Sequence, residues 1–193
     1  MSGQNPVTPS AEGIAASVRA AKGRGLPPVD KWNPPFCGDL DMRIARDGTW
    51  FYQGTPIGRP ELVRLFSSIL RKDGESYFLV TPVEKVGLVV DDAPFVAVDF
   101  ERSGDGPDQS LRFETHVGDY AVAGPDCPIR VVRDPVTGEP SPYILIRRNL
   151  EALIDRKSFY RLVDIGAHHD GWFGLWSQGT FFPVIPSAEL ETA

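Results

Sequence analysis

Cysteine is nearly absent: Cys37 and Cys127 are the only two in 193 residues, and no Cys-x-x-Cys pair occurs. That excludes a disulfide framework or a zinc knuckle and leaves both as small apolar residues. Histidine is almost as scarce. His116 stands alone, and the neighbours His168 and His169 would point to opposite faces of a strand, so they do not share one metal. No metal and no other cofactor is expected. No window approaches the roughly 18 consecutive apolar residues of a membrane span, and the N-terminus lacks a basic segment followed by an apolar run. The expected location is therefore the cytoplasm, with no membrane partner. Positive charge is in deficit, 20 Lys and Arg against 26 Asp and Glu for a net charge of −6, which works against bulk attraction to nucleic-acid phosphates.

Catalytic spacings are missing too. There is no GxxxxGK[ST] loop, no GxGxxG opening a helix, no HExxH and no GxSxG. Gly174-Leu175-Trp176-Ser177-Gln178-Gly179 comes nearest to the last, with its serine one position late. Asp39, Asp41, Asp91 and Asp92 are read as turn and edge residues rather than as a carboxylate pair for acid–base work. The chain is expected not to be an enzyme.

What is present is ordinary globular composition, 41% apolar and 24% charged, which predicts a folded protein. Residues 1–28 are rich in Ala, Gly, Ser and Pro and read as a flexible arm in which Ala11–Lys22 forms at most a weak helix. Beyond it the pattern is α+β. Asp47-Gly48 between β-prone runs predicts a hairpin, followed by a second turn at Gln53-Gly54 and a helix over Arg59–Lys72. Strands follow from Tyr77 to Glu101. The polar stretch 103–108 suggests a boundary between an N-terminal half, 29–102, and a C-terminal half, 103–193. In the second half a helix is predicted over Arg148–Val163, with Leu150, Leu153 and Ile154 inward, and hairpin sequence closes the chain. There, Asp170-Gly171-Trp172-Phe173 and Gln178-Gly179-Thr180 repeat in order the earlier Asp47-Gly48-Thr49-Trp50-Phe51 and Gln53-Gly54-Thr55. The repeat points to a duplicated hairpin and helix motif, although the first hairpin precedes its helix and the last follows its own.

Arginines concentrate on the two predicted helices: Arg59 and Arg64 on the first, and Arg147, Arg148, Arg156 and Arg161 on the second, with Lys157 beside them. A guanidinium fork suits carboxylate and phosphate, so a convergent set would bind an anion. The competing reading is a solvated helix face, paired locally with Glu151 and Asp155. Thr81-Pro82-Val83-Glu84-Lys85 places an acid beside a base at a strand turn, where one of the two looks inward. Trp50 and Tyr143 are the aromatics offered as a stacking surface for a planar ligand.

Several segments together resemble the proteobacterial domain of unknown function family 1285: Trp32-x-Pro-x-x-Cys37-Gly38, Asp47-Gly48-Thr49-Trp50, Gly54-x-Pro56-Ile57-x-Arg59, Leu79-Val80-Thr81-Pro82-Val83-Glu84-Lys85 and Tyr143-x-x-x-Arg147. The resemblance spans about Trp32 to Val184. It implies a mainly antiparallel sheet in two halves carrying a duplicated motif, a C-terminal half like a pleckstrin-homology barrel, and a ligand site where the halves meet. A nucleotide-like ligand and a part in signal transduction are what it suggests; it carries over no catalytic residue. The resulting expectation is a cytoplasmic binding module for a small anionic, nucleotide-like ligand, with contacts from Arg59, Arg64, Glu84, Lys85, Arg148 and Arg156 and stacking on Trp50 or Tyr143. The alternative is a protein-interaction module with no small-molecule site.

Overall fold

The computed structural model describes residues 8–21 and 23–192. The first seven residues of the expected arm, and Lys22, lie outside the described residues. The chain divides into two compact units, Met1–Asp91 and Asp92–Ala193. Both are built on mixed, mostly antiparallel sheets with few helices. Among the described residues no helix is long and apolar enough to cross a membrane.

The first unit contains α1 (Ala11–Ala21), β1 (Phe36–Ile44), β2 (Trp50–Tyr52), β3 (Thr55–Pro56), α2 (Pro60–Ser68), β4 (Leu70–Asp73), β5 (Ser76–Val80) and β6 (Lys85–Val90). Its six strands lie in the order β3-β2-β1-β6-β5-β4. The first and last strands, β1 and β6, pair in parallel at the centre, and every other pairing is antiparallel. Alternation separates the two faces. Ile44, Trp50, Val86 and Leu88 are buried on one side, where Trp50 stacks on Phe66 of α2 at 6.3 Å between ring centroids. Lys85, Gly87 and Val89 alternate to the other side.

Residues 11–21 are not part of a loose arm. α1 buries Ala11, Ile14, Ala15 and Val18, spaced three and four apart, and packs against α2. Low helix propensity is overridden by an apolar stripe that has a partner. The helix expected over Arg59–Lys72 ends at Ser68, and Leu70–Asp73 is instead the edge strand paired with β5. Thr81 explains the turn that follows β5: its hydroxyl accepts from the amides of Val83 and Glu84 and donates to the Glu84 carbonyl.

The second unit contains β7 (Phe95–Ser103), β8 (Ser110–Thr115), β9 (Tyr120–Val122), β10 (Ile129–Arg133), β11 (Pro140–Arg147), β12 (Leu150–Ile154), α3 (Arg156–Asp164), β13 (Ala167–His169), β14 (Trp172–Ser177), β15 (Thr180–Pro186) and α4 (Ser187–Leu190). One sheet runs β10-β11-β12-β7-β8-β9. It repeats the plan of the first unit: two three-stranded meanders joined by a central parallel pair, here β7 and β12. A second sheet, β13-β14-β15, is a further meander. The polar stretch 103–108 is therefore not a boundary. It is the turn between β7 and β8, and β7 belongs to the second unit because both of its neighbours do.

The helix expected over Arg148–Val163 is also corrected. Arg148, at φ 52°, turns the chain between β11 and β12, and Leu150, Ala152 and Ile154 alternate inward as a strand. The helix starts only after Asp155, whose carboxylate accepts from the Ser158 amide as an N-cap.

The two Gln-Gly turns are conformationally alike, Gln53 and Gly54 at φ 51° and 78°, Gln178 and Gly179 at 53° and 70°. The two Asp-Gly turns are not. Asp170 takes a positive φ of 48°, whereas Asp47 does not and instead accepts a hydrogen bond from the Thr49 amide.

Candidate functional sites

Within the first unit the expected contact residues do not share one face. In the first unit Arg59 caps α2 in an extended conformation and Arg64 lies on its exposed side. Lys85 projects from the opposite face of the sheet, where its ammonium sits 4.1 Å over the Phe78 ring and 2.9 Å from Asp73. The sheet thus stands between Lys85 and the α2 arginines. Glu84 is half-buried, and desolvation raises its pKa above the ordinary carboxylate value. Trp50 is 1% exposed, so it has no face left for a ligand; this corrects its proposed stacking role.

Asp73 organises the Lys85 face. It accepts from Arg71 Nε and Nη2 and from Lys85 Nζ, while Arg71 Nη1 ties the Val29 and Trp32 carbonyls. Partial burial pushes the Asp73 carboxyl upward, but the hydrogen bonds from Arg71 and Lys85 outweigh it and hold the group below its ordinary value.

In the second unit Tyr143 is buried as well, with Arg130 over its ring at 4.4 Å and its hydroxyl donating to Asp92 at 2.7 Å. Its ring has no open face, which corrects the second stacking assignment. Arg148 is exposed in the β11–β12 turn. Arg156, at the start of α3, pairs with Glu139 at 2.6 Å. Arg147 is held by Asp119 over the Phe95 ring; burial lowers its pKa, against the opposing pull of Asp119. Arg161 pairs with Asp99, whose carboxyl is held low by that hydrogen bond.

The Arg156–Glu139 pair marks the neighbourhood of an apolar pocket of about 170 Å³. Gly138 and Pro140, on either side of Glu139, line it together with Phe159, Val163, Phe173 and Leu190. Arg133 closes one edge. Its Nη1 donates to Glu189 of α4 at 2.5 Å and its Nε to the Gly138 carbonyl at 3.3 Å. The Phe173 ring is pinned, because a Cβ at Gly166 would lie 2.2 Å from its Cζ. α4 is anchored by Ser187, whose amide donates to Gly171 O and whose hydroxyl lies 2.7 Å from His168 Nδ1. Sequence reasoning found Arg156 but missed Arg133, Phe159, Phe173 and Leu190. A lone arginine at a strand end and apolar residues from α3, β14 and α4 carry no common spacing. Among the described residues no group of three His, Cys, Asp or Glu side chains is placed to hold a metal ion.

Fold and sites together define a two-unit mixed-sheet protein with an arginine-edged apolar pocket in its second unit. Residues 27–93 match the N-terminal domain, and residues 94–184 the C-terminal domain, of the domain of unknown function family DUF1285. The chain belongs to that family. It is 66% identical to a DUF1285 family protein from Silicibacter pomeroyi DSS-3 of known crystal structure, covering 94% of this chain and all of that one with a TM-score of 0.88. A DUF1285 family protein from Shewanella baltica OS155 is 31% identical over 65% of this chain and 91% of its own, with a TM-score of 0.51. No curated protein matches the chain.

Proposed function

We propose that the chain is a non-catalytic binding module whose C-terminal unit takes a small acid with an apolar body. The observation that carries this reading is the pocket edged by Arg133, in which a guanidinium already holding a carboxylate stands beside an apolar cavity. A cavity of about 150 Å³ admits benzene, so 170 Å³ suits a ring or short chain of that size. Ligands of drug size need about 300–1,000 Å³, which favours a simple acid over a whole nucleotide here. Ligand sensing in the cytoplasm as part of signal transduction, with the C-terminal sheet as a pleckstrin-homology-like scaffold, belongs to the same proposal. The shared strand plan of the two six-stranded sheets supports an origin by duplication.

Benzoate and benzyl alcohol test the reading, because they share a ring and differ in charge. Titration calorimetry on the full chain is expected to show benzoate binding about tenfold tighter than the alcohol, the contribution of a charge-assisted hydrogen bond. Arg133→Gln is expected to abolish the difference, and Glu189→Gln, which frees Arg133, to strengthen benzoate. Equal binding of the two compounds, or an unchanged preference in Arg133→Gln, overturns the assignment. Binding of neither overturns it too and favours the protein-interaction alternative.

A further inference from the structure

The open face of the N-terminal sheet carries a groove of about 420 Å³ bordered by Phe36, Asp39, Phe78, Gly87 and Val89. Its construction turns on Asp39. The β1–β6 ladder shifts register on both sides of this residue, between Phe36 and Asp39 and again between Asp39 and Arg43. Gly38 just before it takes φ 100°, in the region that favours glycine. Past these irregularities Asp39 shares the exposed side of the β1 alternation with Asp41 and Arg43, and its carboxylate lies across the neighbouring strand, so that a Cβ on Gly87 would fall 2.1 Å from Asp39 Oδ1. The bare glycine is what gives the carboxylate its place.

The charges around it are already committed. Arg43 is paired with Asp91 at 2.9 Å, Arg71 and Lys85 converge on Asp73, and Lys72 lies 3.8 Å from Glu75. Asp39 has no hydrogen-bond or ion-pair partner among the described residues. Beside it stand two rings, Phe36 and Phe78, edge to face at 6.0 Å and 86°. Phe36 is 57% exposed, a large apolar surface to leave in water beside an uncommitted charge. The Phe78 ring already shows what this surface accepts, since the ammonium of Lys85 sits over it. An aromatic face and a carboxylate are the two elements that recognise an organic cation.

We propose that this groove is a binding site for an organic ammonium ion with an apolar or aromatic body, with Asp39 as the counter-charge and Phe36 and Phe78 as the walls. The site is separate from the C-terminal pocket and takes ligands of the opposite charge. Its volume falls within the range of about 300–1,000 Å³ typical of small-molecule sites.

Phenethylamine and phenylacetate, which share a ring and differ in the sign of their charge, are the probes, followed by amide chemical shifts of the full chain. Phenethylamine is expected to move the amides of Phe36, Asp39, Phe78 and Gly87, and phenylacetate to leave them in place. Asp39→Asn is expected to weaken phenethylamine about fivefold, the scale of one exposed ion pair. Gly87→Ala, whose new methyl pushes the carboxylate aside while the backbone remains in an ordinary conformation, is expected to weaken it similarly. Retained affinity in Asp39→Asn, shifts of these amides with phenylacetate, or no shifts with phenethylamine would each overturn the proposal. The benzoate titration reads a different unit, so the two assignments stand or fall separately.

Discussion

Ser177 is fully buried in β14, yet its hydroxyl serves two backbone groups outside its own sheet: it donates to the Ala123 carbonyl at 2.7 Å and accepts from the Leu111 amide at 3.0 Å. Gln109 adds two more ties, from its side-chain amide to Trp176 O at 2.8 Å and from its carbonyl to the Gln178 amide at 2.8 Å. Together these bonds couple the three-stranded sheet to β8. Replacing Ser177 with alanine removes one oxygen and strands a donor and an acceptor that water does not reach. Each buried group left without a partner costs about 1–3 kcal/mol. The expected loss is therefore about 2–6 kcal/mol, against total stabilities of about 5–15 kcal/mol for domains of ordinary size. At about 2–4 °C per kcal/mol, melting should fall by roughly 4–24 °C. Urea unfolding of Ser177→Ala followed by tryptophan fluorescence measures it directly, because Trp172 and Trp176 lie in the same strand. Ser177→Cys, which keeps the volume and a weak donor, should lose less. A loss below about 0.5 kcal/mol in Ser177→Ala would refute the claim that this hydroxyl couples the sheets.

Two other perturbations separate packing from charge. Ile14→Ala removes a side chain with 0% exposure from α1 and should cost about 2–5 kcal/mol; hydrogen exchange of the α1 amides then rises towards that of a free segment, whereas an unchanged exchange rate would mean the helix is not packed. Asp73→Asn tests the Arg71–Lys85 cluster by pH. Because the Asp73 carboxyl is held below its ordinary value of 3.8 in the folded state, its contribution is present above that pH and is lost as pH falls below it. The side chain is 39% exposed, so solvent screening keeps that contribution to about 1 kcal/mol or less. Urea midpoints from pH 6 down to pH 2.5 should fall less steeply in Asp73→Asn than in the natural chain; parallel curves would show that the pairing does not stabilise the fold.

Elements with their own turn chemistry were legible in the sequence. Asp47-Gly48 and Gln53-Gly54 gave hairpins because a residue able to turn with positive φ, or an aspartate able to bind its own turn, leaves little choice. Both helices expected from the sequence run past the true helix for one reason: Leu70 continues the spacing of Leu62 and Phe66, and Leu150, Leu153 and Ile154 imitate the same spacing, although both stretches are strands. Period alone cannot choose when a short apolar run fits both patterns. The local signals that decide were present. Arg148-Asn149 sits where a two-residue turn fits, and Asp155 stands three residues before Ser158 as a cap. The α1 stripe carries little weight in the sequence because its partner, α2, is about forty residues away, and propensity cannot see a distant partner.

Within the first unit the expected contact residues do not share one face, for a related reason. Arginines read along a helix share a sequence neighbourhood, whereas binding requires a shared face, and a sheet assigns faces by register. Lys85 and Arg59 are 26 positions apart and end on opposite sides of one sheet; Arg133 and Glu189 are 56 apart and touch. What places Asp39 on Gly87 is the parallel pairing of two strands separated in the chain by residues 45–84, which no local pattern encodes. The asymmetry has a chemical consequence. Among the basic residues singled out for an anion, Lys85 and Arg147 hold Asp73 and Asp119 in partly buried pairs, so their charge is spent within the chain. The groups with chemistry to offer are those whose internal partners are missing or exchangeable: the Asp39 carboxylate, and the Arg133 guanidinium, whose exposed partner Glu189 a ligand carboxylate can replace.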